Sequence, residues 1–152
     1  MTQEEIKVAL KVACEEFVAS KLNTIHKTVA SNKEALDSES KSSAGDKHET
    51  GRAMLQLEME KAGQQLSEVQ KMKLVVEKIQ TSLVSKAIGL GTVIRSEKGS
   101  YFLGISIGAI TIAGESFFVI SPNSPIGKLL LGKVVGEHFV FQGKETKIYE
   151  IF

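Results

Sequence analysis

Residues 40–50 read Ser-Lys-Ser-Ser-Ala-Gly-Asp-Lys-His-Glu-Thr, and long runs of helical periodicity lie on both sides. Small polar residues and a glycine are poor helix formers, because they compete for backbone hydrogen bonds or cost backbone entropy. The spacing therefore predicts two helices joined at this stretch, an antiparallel hairpin with its tip here. The tip is acidic: Asp46 and Glu49 lie within it, and Asp37 and Glu39 just before it. Asp37 and Glu39 are expected in a solvated loop.

Over residues 2–33, Ile6, Leu10, Ala13, Phe17, Leu22, Ile25 and Val29 recur mostly three and four apart, with Cys14 beside Ala13. That is one face of a helix. Thr2 followed by Glu5 suits a capping box. Lys7, Lys11 and Lys21 are expected to point outward with the neighbouring glutamates. After the tip, Leu55, Met59, Ala62, Leu66, Val69, Met72, Val76, Ile79 and Leu83 form a near-heptad stripe. Two narrow stripes are buried most simply against each other. At 1.5 Å per residue the helices would be about 45 and 55 Å long.

Near residue 87 the period changes. Short β-branched or aromatic runs follow at 92–94, 101–105, 110–112, 117–120, 138–141 and 147–151. Gly-containing turn signals separate several of them, which reads as five or six antiparallel strands. Ser124, Pro125 and Gly132 suit the N-cap, first turn and C-terminal cap of one short helix over 125–131. The expected fold class is α+β: a coiled-coil hairpin over 1–86, then a small sheet domain over 88–152.

Composition excludes some functions. The net charge is +1, which argues against broad, charge-driven nucleic-acid binding. A lone cysteine, Cys14, rules out a disulfide framework and a cysteine-type zinc site. It falls in the apolar stripe and reads as an inert thiol. The longest uncharged run, 99–114 apart from its flanks, is short and glycine-rich, so no membrane span is expected. The first residues lack the apolar core of a signal peptide. A reducing, cytoplasmic compartment and a monomer are the expectation.

Asp46 and Glu49 lie three apart at a helix start, on one face. They suit a capping box, in which both acids satisfy orphan N–H groups. A capping carboxylate also keeps lone pairs for a hard cation, so cap and metal ligand are compatible roles. His48 between them reads as a solvated tip residue. Gly127 to Lys133 matches a phosphate-binding loop up to the lysine, then fails: Val134 stands where a hydroxyl is needed, and the leucines belong in the helix. Lys128 and Lys133 on the helix flank form a candidate docking surface.

Two stretches carry a family resemblance. Gly45-Asp46-Lys47-His48-Glu49 resembles the tip motif of the Gre family of bacterial transcript-cleavage factors (GreA and GreB). Ile120-Ser121-Pro122-Asn123-Ser124-Pro125-Ile126-Gly127-Lys128 and the leucines after it resemble a segment of that family's C-terminal domain. The resemblance implies an FKBP-like C-terminal domain that docks on RNA polymerase through a surface including Ser124, Pro125, Lys128 and Lys133. The hairpin would enter the secondary channel and bring Asp46 and Glu49 to the polymerase active site. There they would share a Mg²⁺ with the polymerase, which itself cuts backtracked RNA near its 3′ end. The chain would be an accessory factor and not an enzyme.

After Glu49 the family's Asn and nearby aromatic residue are replaced by Thr50, Gly51, Arg52 and Ala53. That motivates a second reading, a channel regulator that does not cut. A third, an FKBP-like isomerase or chaperone, is disfavoured because the chain has no Trp to floor such a pocket.

Overall fold

The computed structural model describes residues 1–40 and 45–152, with side chains for all of these except 40 and 45–48. In chain order the elements are α1 (Gln3–Ser40), α2 (Gly45–Glu77), β1 (Val93–Ser96), β2 (Gly99–Leu103), β3 (Gly108–Ile112), β4 (Glu115–Ile120), α3 (Pro125–Leu130), β5 (His138–Phe141) and β6 (Lys144–Ile151). The layout is α+β, as the change of period predicts. The chain divides into two compact units, Met1–Phe17 with Leu74–Phe152, and Val18–Lys73.

The Val18–Lys73 unit is helical. Ser20, Thr24 and Ile25 of α1 line a groove with Gln65, Val69 and Met72 of α2. Farther along α1, the Glu39 carboxylate lies against Gly51 of α2. Positions thus rise along one helix as they fall along the other, so the pair is antiparallel. Val18, Ile25, Ala62 and Val69 are buried between the helices. The α1 seam differs in detail from the periodicity. Cys14 and Val18 are its central residues, Ala13, Phe17 and Leu22 are half-buried flanks, and Val29 is exposed. The expected stripe after the tip is buried at Ala62, Val69 and Val76 of α2 and at Ile79 just beyond it, whereas Leu83 is exposed.

The other unit contains a sheet of order β3-β4-β2-β1-β6-β5. The six expected strands are present, but the sheet is mixed: β2 and β4 run parallel, Phe102 opposite Val119. Ala113 and Gly114 have positive φ and close the tight β3–β4 hairpin. Within it, β4 carries Phe117 and Val119, both buried, whereas β3 begins with the exposed Gly108 and Ala109. Burial therefore places β4 beside β2 and leaves β3 at the edge. Gln142 and Gly143 make the corresponding turn between β5 and β6.

One sheet face packs Ile94, Leu103 and Ile148 with Ile88, Phe139 and Leu130 of α3. Val93, Phe102, Phe117, Val119 and Phe152 are also fully buried. Ile79 lies beside Gly91 and Gly104, and Cys14 against the backbone of Ile105.

α2 stops at Glu77, short of the expected end near 83. Its last turn tightens, with the Lys78 N–H donating to the Val75 carbonyl and the Ile79 N–H to the Val76 carbonyl, both at 3.1 Å. Lys11 Nζ donates to the Ile79 carbonyl at 2.8 Å, and Lys7 Nζ to the Leu83 carbonyl at 2.7 Å. These ammoniums satisfy carbonyls beyond α2, which has no basic residue in its own last turn. Lys7, expected outward, is only 4% exposed. Burial holds its ammonium below the ordinary lysine range.

Candidate functional site at the hairpin end

α1 runs on to Ser40, so Asp37 and Glu39 belong to a helix and not to a loop. Helix resumes at Gly45. The serine-rich residues 41–44 and the side chains of Asp46 and His48 lie outside the described residues. The backbone at Asp46 is in the first turn of α2, and Glu49 follows one turn later with an exposed side chain. Three residues apart on a helix share a face, so the two positions are neighbours on α2.

Glu39 is half-buried, and its carboxylate occupies the space into which a Cβ on Gly51 would project. A glycine at 51 therefore lets an acid of α1 lie directly on the backbone of α2. Carboxylates are hard oxygen donors suited to Mg²⁺. Among the described residues, no three His, Cys, Asp or Glu side chains come together as a metal site.

The expected docking surface surrounds α3. Ser124 is the N-cap: its Oγ accepts from the Gly127 N–H at 3.1 Å and donates to the Ser121 carbonyl at 2.6 Å. Its hydroxyl is thus engaged within the turn. Pro125 and Lys128 are exposed. Lys133 is half-buried, 4.0 Å from the Glu137 carboxylate. Beside these cations in the chain the structure exposes Leu129, Leu131, Val134 and Val135. The resemblance had pointed to the polar residues here, and the apolar ones went unremarked because the leucines read as core.

One cluster was not legible beforehand. Arg95 of β1 pairs with Glu115 of β4 through two bonds of 2.8 and 3.0 Å, and with Glu150 of β6 at 2.9 Å. Ser100 Oγ donates to Glu115, Gln3 Nε2 to Glu150, and the guanidinium lies over the Phe152 ring. The hydrogen bonds from Arg95 hold the Glu115 carboxyl below its ordinary range, against the opposing effect of burial. Every acceptor is occupied from within the chain, so the cluster ties strands together.

His26 and His138 are both exposed. Among the described residues, no helix is long and apolar enough to cross a membrane. No family model matches the chain, and no curated protein matches it.

Proposed function

We propose that this protein is a transcription factor of the Gre type, which docks on RNA polymerase and stimulates the polymerase's own cleavage of backtracked RNA. One observation carries most of the reading. An antiparallel helix pair has Asp46 and Glu49 in the first turns of α2, next to its end, and a small sheet unit follows in the same chain. The motif at 45–49 and the segment around α3 supply the resemblance; the exposed Leu129, Leu131, Val134 and Val135 beside Lys128 supply a surface suited to a protein partner.

In this reading Asp46 and Glu49 hold a Mg²⁺ jointly with the polymerase. Such an ion would polarise an attacking water and offset charge on the transferring phosphate. The chain's own part is to place two hard ligands on a helix and present them at the RNA 3′ end. Two ligand positions three apart on one helix keep their spacing when the ion arrives. The protein alone would have no nuclease activity.

The replacement of the family's Asn and aromatic residue after Glu49 by Thr50, Gly51, Arg52 and Ala53 favours one alternative. There the same docking occupies the channel without cutting. Co-elution with the cognate polymerase tests both readings, since neither survives failure to bind. RNA shortening in a backtracked complex separates them.

A further inference from the structure

Along α1, Val18, Ile25, Asn32 and Glu39 follow one another at intervals of seven residues. This column faces α2, and its first two members are buried apolar side chains. Its third, Asn32, is 6% exposed, and its Nδ2 has no hydrogen-bond partner among the described residues. Its fourth is the half-buried Glu39. Seen from α2, Val69 and Ala62 are buried, but Leu55, the next residue at the same interval, is only half-buried.

Among the described residues from His26 to Lys61, Asn32 is the one buried side chain. The hairpin therefore has an apolar interface on one side of Asn32. On the other side, toward Gly51, the described contacts are half-buried. A buried amide donor left unpaired loses its hydration without return. An Asn in a coiled-coil seam costs stability relative to an apolar residue at the same position. Local opening follows low burial and weak packing, so opening here need not disturb the rest.

We propose that Asn32 is a built-in break in the hairpin. Residues 33–39 and 49–59 open together as a unit, while 18–25 and 62–73 stay paired. Opening hydrates the Asn32 amide, which partly offsets the loss of helix contacts. The device lets the helix segments that carry Asp37, Glu39 and Glu49 change their aim without unfolding the helices behind them. The inference does not rest on the polymerase reading, because it concerns the isolated protein.

Hydrogen exchange on the full chain tests it. Amides in 33–39 and 49–59 are expected to exchange at least tenfold faster than those in 18–25 and 62–73. In Asn32→Leu the fast group is expected to slow at least tenfold, and the slow group to change little. Asn32→Ala removes the amide without adding bulk, and covers the case in which leucine does not fit; it is expected to slow the same amides by a smaller factor. Equal exchange along the hairpin would overturn the proposal. So would distal rates that both variants leave unchanged or raise.

Discussion

Arg95 joins three strands of the sheet through two carboxylates, and this sets how the fold responds to acid. Glu115 has its carboxyl depressed in the folded protein, chiefly by the hydrogen bonds from Arg95. Its contribution to stability is therefore present above the ordinary carboxylate range and is lost as pH falls through the folded value. The pair is partly exposed, so its worth is about 1 kcal/mol or less. Glu115→Gln should lower the Tm at pH 7 and lower it progressively less toward pH 3; a difference independent of pH would contradict the assignment. Cys14 is buried, and burial pushes its thiol up to about 11. At pH 8 a thiol reagent should leave the native chain unlabelled while labelling the denatured chain fully. The thiol was legible in the sequence because its neighbours on the stripe are local. Arg95 was not, because its partners lie 20 and 55 residues away and meet it only when the sheet forms. Lys7 was misread for a similar reason: its acceptor is the Leu83 carbonyl.

The short helix α3 shows at the scale of an element what local chemistry can specify. Ser124, Pro125 and Gly132 marked its ends in the sequence, and the cap hydrogen bond forms as expected. Ser124→Ala should cost about 1 kcal/mol of stability, read by denaturant unfolding. Gly127 has a stronger requirement. A Cβ there would meet the Ser121 carbonyl and the Ser124 hydroxyl, both within the same tight turn. Gly127→Ala is therefore expected to cost about 1–3 kcal/mol, and more than the cap variant. The reverse order would show that the turn can shift to make room. Strand positions were also legible, since alternation and turn residues are local signals. The parallel β2–β4 pairing was not, because it depends on which member of a hairpin buries more apolar surface against a distant strand. The end of α2 was hidden likewise, since the carbonyls just beyond it are taken up by lysines of α1.

For the whole molecule, the two units carry the two halves of the proposed function. The sheet unit bears the apolar surface around α3. Leu131→Glu, at an exposed position, should weaken polymerase binding at least tenfold and leave the Tm nearly unchanged. Unchanged binding would move the docking surface elsewhere. The helical unit leads to the acidic end, and its two helices were legible from periodicity. The measurement that bears most directly on the proposed function is transcript cleavage in a stalled, backtracked complex of the cognate RNA polymerase, with this protein and with its Asp46→Ala/Glu49→Ala double variant. The expected result is faster RNA shortening with the natural chain, lost in the variant while binding is retained. Binding without any stimulation by the natural chain, or stimulation that the double variant keeps, would contradict the assignment of these carboxylates as metal ligands.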